Sequence, residues 1–318
     1  MEPFDPYVRL LVDEARRRGI KATPIPEMSQ GYAVLELGEH REFVCQAMSN
    51  GTGTVSFRLA HNKAASLRLL SEAGLPVGAF VVTASVDEAL AFAADHEAVV
   101  AKPVDRSFGV GVRVGLATDA QVRRGFAEAQ QQTRVSGKRV MVQEQLPGVD
   151  CRVLVVGRSR CFGVERVPAH LFGDGETPIG RWIEAWNETL PMRNRRIQLT
   201  QRLSRQLEKQ GWDLDGVPGV GVRVELGELA NTHQGGFCTD ITDALCPEAR
   251  EAALASARYF GADFLGVDFV SPDIRSTPGR IIELNPHAGI TLHHQPTFGA
   301  PQDVAGAILD QLFPETSS

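Results

Sequence analysis

The chain has 318 residues, 43% of them hydrophobic and 23% charged. That composition excludes a disordered, collagenous or coiled-coil protein and leaves room for two or three domains with a substantial core. Lys and Arg total 33 against 39 Asp and Glu, a net charge of -6, so the chain lacks the overall basic signature of a nucleic-acid binder and no nucleic-acid partner is expected. No apolar run approaches the roughly 18 residues needed to span a bilayer. Met1 to Arg18 mixes acids and bases without an apolar signal core, so a cytoplasmic protein with no membrane partner is expected. The five cysteines (Cys45, Cys151, Cys161, Cys238, Cys246) are widely spaced with no C-x-x-C. Reduced thiols are expected, and zinc is not.

Three zones follow in chain order. In residues 1–60, Tyr7 to Arg18 reads as an amphipathic helix stopped by Gly19. Strand-like runs follow at Tyr32 to Leu37 and Glu42 to Ala47, and S-N-G-T-G-T from Ser49 to Thr54 reads as a loop. Residues 61–144 alternate helices and strands: a helix from Lys63 to Ala73, a strand at Ala79 to Val82, a helix at Val86 to Ala94, a strand at Ala98 to Lys102. A glycine-containing turn leads to a strand at Val112 to Leu116, then a helix capped by Thr118, then a strand at Arg139 to Gln143. In residues 145–318, Cys151 to Val156 and Cys161 to Val167 read as a hairpin around Gly157. Helices are expected from Pro178 to Asn187, Arg196 to Gln210, Pro247 to Gly261 and Val304 to Leu312, with apolar strands at Phe264 to Val270 and Arg280 to Leu284. The pattern is α+β or α/β.

The strongest chemical signal is Asp268 in G-V-D-F-V together with Glu283 and Asn285 in I-I-E-L-N-P. Glu283 and Asn285 are two apart on a strand and point to one face. Carboxylates in apolar strands are costly unless paired. If the two strands pair, three oxygen donors converge in a way that suits Mg²⁺; strand-end capping or pairing with a nearby Arg also fits the spacing.

A second signal is V-V-A-K-P-V-D-R-S-F-G-V-G-V from Val99 to Val112, where a strand delivers Lys102 into a loop with Gly109 and Gly111. Such backbone approaches phosphates closely and Lys adds a point charge. It is not the G-x-x-x-x-G-K-S/T loop, and a plain hairpin with a surface lysine is the alternative. Third, V-Q-E-Q-L-P-G-V-D-C-R from Val142 to Arg152 bends a strand at Pro147-Gly148 and leaves Asp150 and Arg152 alternating. It reads as a hinge that contacts a nucleotide or as an ordinary turn. Fourth, N-T-H-Q-G-G-F-C-T-D from Asn231 to Asp240 is a polar, glycine-rich stretch, functional or merely connecting. His287, His293 and His294 follow the Glu283–Asn285 strand; substrate contact or a solvated loop is expected there.

Taken in order, these segments resemble an ATP-grasp ligase, in particular the ATP-grasp half of cyanophycin synthetase and of bifunctional glutathione synthetase. The resemblance runs from A-R-R-R-G-I at Ala15 to L-F-P at Leu312. It includes H-N-K-A-A-S-L-R-L-L-S-E-A-G-L-P-V, the Lys102 segment, the Gln143 hinge, F-G-D-G-E-T-P-I, N-T-H-Q-G-G-F-C-T-D-I-T-D and I-I-E-L-N-P-H-A-G-I. It implies an α+β ATP-grasp fold that holds the nucleotide between two α/β lobes. Residues 1–60 would form a small N-terminal pre-grasp-like segment, 61–144 the lid domain, and 145–318 the large domain with the metal site.

The roles it implies are specific. Lys63 and Lys102 would reach the phosphates, and Ser107 to Gly111, including Gly109, would close over them. Gln143, Glu144 and Leu146 would form the adenine hinge, with Asp150 on the ribose. Arg152 and Arg166 would stabilise the transferring phosphoryl group. Asp268, Glu283 and Asn285 would hold Mg²⁺, two ions in the usual case, with Mn²⁺ as a substitute. Asn231, Gly235 and Gly236 would line the acyl-phosphate site, and His233, His287, Gly289 and His293 would meet substrate. The assembly suggested is a homodimer.

The sequence departs from that pattern at several positions, most of them on the substrate side. Gln143 stands where similar chains usually carry Glu, and Cys151 where a His is common before Arg152. The run Gly227-Glu228-Leu229-Ala230 stands where Arg or Asn is usual, and His233 where Ser is. Ile290-Thr291-Leu292-His293 replaces Leu-Arg-Met-His, which removes an arginine that would meet a substrate carboxylate. The 318 residues include neither the amino-terminal substrate domain nor the second ligase of cyanophycin synthetase, so a different enzyme is expected. The expected reaction is ATP-dependent ligation of a carboxylate to an amine, between small amino acids or small acids, through an acylphosphate. An ATP-binding module without turnover and an ATP-grasp phosphotransferase are the alternatives.

Overall fold

The computed structural model describes residues 4–106, 109–134, 137–189, 196–227, 230 and 235–317. Ser107, Asn231 and His233 lie outside the described residues. By their contacts the residues fall into two compact units, Met1–Val164 with Asp240–Ser318, and Glu165–Thr239.

The first unit opens with α1 (Pro6–Arg17), capped by Asp5, whose carboxylate accepts from the Tyr7 and Val8 amides at 2.9 Å. Val8, Leu11, Val12 and Ala15 recur at helical spacing and are fully buried. Gly19, at φ 76°, ends the turn. A meander follows: β1 (Lys21–Pro24), β2 (Tyr32–Leu37), β3 (His40–Cys45) and β4 (Met48–Ser49), paired in sequence order. Next comes α2 (Thr54–His61), a helix that the sequence reading passes over. Its N-cap is Gly53 with no side-chain bond, and Val55 and Leu59 face solvent at 73% and 37% exposure. The hydrophobic pattern therefore carries no clean core face there.

α3 (Lys63–Glu72), capped by Asn62, leads into a four-stranded antiparallel sheet, the lid sheet. Its strands are β5 (Phe80–Thr83), β6 (Val99–Pro103), β7 (Arg113–Leu116) and β8 (Val140–Glu144), in the order β5-β8-β6-β7. The helices α4 (Val86–Ala93) and α5 (Asp119–Gln132) cover one face. Thr118 and Gln121 form the capping box of α5. The other face, with Met141, Phe80 and Val82, joins the main core beneath.

That core is built on a second antiparallel sheet whose neighbours run β10 (Arg160–Val167), β9 (Val149–Val156), β14 (Phe264–Ser271), β15 (Arg280–Asn285). α8 (Pro247–Phe260) packs against it, ended by Gly261 at φ 62°. Its other side meets α1 and α10 (Val304–Leu312). A parallel bridge, Val77 to Ile281, ties the entry of the lid segment to β15. All five cysteines are free, and all but Cys45 are buried.

The second unit holds β11 (His170–Phe172) paired antiparallel with β12 (Arg223–Glu225), and the helices α6 (Ile179–Thr189) and α7 (Gln201–Glu208). Its core gathers Ile179, Ile183, Leu203, Leu207, Val224 and Phe237. Trp182 and Trp186, one turn apart on α6, stack at 5.5 Å. α7 begins at Gln201, five residues after the Arg196 expected from the sequence, because Thr200 is its N-cap. The Asn231–Asp240 stretch, expected to be irregular, contains a strand, β13 (Phe237–Asp240). Among the described residues no helix is long and apolar enough to cross a membrane.

Candidate functional site

Three strands of the central sheet place one charged residue each on the same line. In register, Arg152 of β9 lies opposite Asp268 of β14, and Asp268 lies opposite Glu283 of β15. Directly paired residues share a face, and Asn285, two further along β15, joins them. Asp268 is 4% exposed and Arg152 8%. Arg152 grips the Asp268 carboxylate with two nitrogens, Nη2 reaching Oδ2 at 2.8 Å and Nε bonding to Oδ1. Asn285 Nδ2 donates to the same Oδ2 at 3.0 Å. A buried carboxylate so held has its charge met by protein donors. Strand pairing and pairing with an arginine thus occur together.

The space for this grip comes from Gly266, two residues before Asp268. A Cβ there would fall 2.8 Å from the Ala288 Cβ and 3.1 Å from Arg152 Cδ, so only glycine lets the arginine lie across the strand. The turn before β9 is similarly tight. Gly148 has φ 127°, and a Cβ on it would meet the Ser271 carbonyl at 2.2 Å.

Two lysines approach the row from the other segment of the same unit. Lys63 is the first residue of α3, where the helix dipole disfavours a cation. Its ammonium forms an ion pair with Glu283 Oε1, which offsets that cost. Lys102 leaves β6 beneath the lid sheet, donating to Gln143 Oε1 at 2.7 Å and to the Ile282 carbonyl at 3.3 Å. Burial pushes the Lys102 pKa down to about 8; Glu283, Asp268 and Asp150 pull it back up and Lys63 pushes it further down. Four of the charged residues singled out in the sequence therefore lie within electrostatic reach of one ammonium group.

Glu144 and Gln145, at the end of β8, tie down the edge of the four-stranded sheet. Glu144 Oε1 accepts from the Ala79 amide at 2.7 Å, and Gln145 Oε1 accepts from the Gly115 amide. Gln143 is 3% exposed, and its Nε2 is buried with no hydrogen-bond partner. Gly109 and Gly111 turn the loop between β6 and β7 with φ of 73° and 74°. A Cβ on Gly111 would sit 2.8 Å from Pro103 Cγ.

The oxygens of Asp268, Glu283 and Asn285 suit a hard cation that takes its remaining ligands from phosphate and water. Among the described residues no three His, Cys, Asp or Glu side chains cluster as a metal site by themselves. A separate cavity of about 640 Å³ beside α3 and β5 is lined by Ala65, Arg68, Phe80, Val82 and Arg139, and Lys102 does not border it. The charged row, and not that hollow, gathers the charged residues singled out in the sequence.

The remaining candidates are scattered. His287 is exposed after β15, with Nε2 4.0 Å from the Cys45 sulfur. Gly289 is half-buried in the same loop. His293, in the short helix α9 (Thr291–His294), is fully buried with its ring edge toward Phe162, and so presents no surface to solvent. His294 Nε2 accepts from the Ala305 amide at 2.9 Å, a structural bond. Arg166, Gly235 and Gly236 belong to the second unit. Gly235 there has φ 84° and packs against Ile197.

Residues 75–236 match the model of the prokaryotic glutathione synthetase ATP-grasp domain. The chain belongs to this ATP-grasp family. It is 32% identical to the cyanophycin synthetase of Trichormus variabilis, over 98% of this chain and 35% of that protein. It is 28% identical to the glutathione biosynthesis bifunctional protein of Mannheimia succiniciproducens, over 96% of this chain and 42% of the other. The bifunctional glutathione synthetase from Pasteurella multocida superposes with a TM-score of 0.75 at 25% identity, over 98% of this chain and 44% of that one. The fold is thus the ATP-grasp fold. The chain spans between a third and a half of the length of these relatives.

Proposed function

We propose that the protein is an ATP-dependent carboxylate–amine ligase that joins two small amino-acid-like substrates. The observation that carries this reading is the Arg152–Asp268–Glu283 row with Asn285 beside it, facing Lys63 and Lys102. Residues 1–60 act as an N-terminal segment, 61–144 as the lid and 145–318 as the large domain.

In the proposed reaction a substrate carboxylate oxygen attacks the γ-phosphorus of ATP and the bond to ADP breaks, leaving an acylphosphate. An amine then attacks the acyl carbon, phosphate departs and an amide remains. No enzyme nucleophile is needed, and the work is positioning and charge neutralisation. Bound Mg²⁺ offsets charge on the phosphate oxygens. Asp268, Glu283 and Asn285 supply the oxygens that would hold it. Lys63 and Lys102 stabilise the phosphate tail, and Arg152, with Nε and Nη2 engaged by Asp268, keeps Nη1 for a phosphoryl oxygen. Glu144 and Leu146 hold the base, Asp150 the ribose, and the Ser107–Gly111 loop excludes water from the acylphosphate. Arg166 keeps the phosphoryl-stabilising role, and Asn231, Gly235 and Gly236 the acyl-phosphate roles, that the resemblance implies.

Incubation with ATP, Mg²⁺ and pairs of amino acids, followed by phosphate release and product mass, tests this. A pair that stimulates release and gives an amide mass supports the ligase. ATP binding without stimulated release by any pair, or a stable phosphorylated product, contradicts it.

A further inference from the structure

The second unit holds two buried nitrogens without an acceptor, Trp186 Nε1 and Arg196 Nε. The fold brings their segments together. Asn187 and Ile197, the residues that follow them, exchange two hydrogen bonds: Asn187 Nδ2 donates to the Ile197 carbonyl at 2.9 Å, and the Ile197 amide donates to Asn187 Oδ1 at 2.8 Å. The end of α6 is thereby pinned beside the segment that leads into α7. Trp186 stacks on Trp182 at 5.5 Å and meets the Phe237 ring at 5.0 Å, so one flank is aromatic. Ile197 packs against Gly235, where a Cβ would fall 2.8 Å from Ile197 Cγ1. As residues Trp186 and Arg196 are only half-buried, so both side chains reach solvent although these two nitrogens do not. A buried N–H normally finds an acceptor, and a guanidinium best matches a flat pair of anionic oxygens.

The ligase reading above, on which this step rests, calls for such a pair of oxygens. One carboxylate is consumed at the charged row, which belongs to the first unit. An amino acid that supplies the amine keeps its own carboxylate, and a charge taken out of water needs a partner. Gly235, given an acyl-phosphate role above, packs on the residue next to Arg196. We propose that Arg196 and the Trp186 indole N–H bind that unreacted carboxylate, which restricts the amine substrate to amino acids and rejects simple amines. The guanidinium swings outward to admit the ligand and closes over it, with the ligand's apolar part along Trp186 and Phe237.

The test follows the Trp186 indole N–H by NMR in the full chain, labelled with nitrogen-15 at tryptophan, with Mg²⁺ and a non-hydrolysable ATP analogue present. The signals of Trp182, Trp186 and Trp212 are assigned from their single replacements by Phe, any two of which suffice. The common amino acids are added one at a time. At least one should move the Trp186 signal downfield and saturate. Its carboxamide and its decarboxylated amine should bind about tenfold or more weakly. Arg196→Gln should remove the difference between acid and carboxamide. No saturable shift with any amino acid, equal wild-type binding of acid and carboxamide, or a shift with inorganic phosphate alone overturns the carboxylate site. An acid preference that persists in Arg196→Gln overturns the role of the arginine. All of these leave the ligase reading standing, because stimulated phosphate release is measured separately. The wild-type comparison of acid with carboxamide needs no arginine variant, so an Arg196→Gln protein that fails to fold does not block the test.

Discussion

The central sheet and the lid sheet belong to one unit and handle buried charge in opposite ways. On the central sheet, Asp268 is held by Arg152 and Asn285, and Glu283 is paired with Lys63, so negative charges meet protein donors. On the lid, Lys102 has the neutral Gln143 as its side-chain acceptor, with a pKa lowered to about 8, and Gln143 Nε2 has no partner. The central sheet thus gives its buried carboxylates partners within the protein. On the proposed reading, the lid meets the negative charge of a bound triphosphate.

The contrast can be broken from either side. Glu283→Gln removes one charge at the junction, and turnover should fall about 10³-fold or more, with an unchanged far-ultraviolet spectrum. Survival of activity would remove Glu283 from the metal site. Arg152→Ala leaves Asp268 buried and unpaired, which should cost about 3–5 kcal/mol in denaturant unfolding. A loss below about 1 kcal/mol would mean that water reaches the row and that the sheet is not self-sufficient.

Lys102→Met should weaken ATP binding by about 10–100-fold, and its pH dependence separates the two halves. A lysine whose folded pKa lies below the unfolded value binds fewer protons when folded, so wild-type stability should rise with pH between about 8 and 10. The rise should be at most about 3 kcal/mol and absent in Lys102→Met. ATP affinity should move the opposite way in the wild type, weakening as pH passes about 8 and the ammonium loses its proton. Flat profiles for both would mean that the lysine is not buried as described. The smallest effect is expected from Gly266→Ala. The new Cβ presses on Ala288 and Arg152 and should cost about 1–3 kcal/mol, with a matching loss of turnover as the guanidinium shifts.

Much of this arrangement is legible in the sequence, for identifiable reasons. α8 is marked by Pro247 at its start and Gly261 at its end, and α5 by a capping box. The Glu283–Asn285 spacing sets both residues on one face by strand geometry alone. Partners far apart in the chain leave no local trace. Nothing near Arg152 announces that it meets Asp268, 116 residues away, because register between distant strands is fixed by packing. Gly266 looks like any glycine until the arginine crossing it is seen. α2 escapes because its cap has no side chain and its apolar residues are half outside. His293 reads as a polar loop residue, yet lies at 0% exposure, since a short helix turns it inward.

The central claim is that Asp268, Glu283 and Asn285 join the two lysines in holding a magnesium-bound triphosphate. Calorimetric ATP affinity, measured with and without Mg²⁺ for the wild type and for Glu283→Gln, addresses it most directly. Mg²⁺ should strengthen wild-type binding by about tenfold or more and do little for the variant. An equal response to Mg²⁺ in both proteins would contradict it.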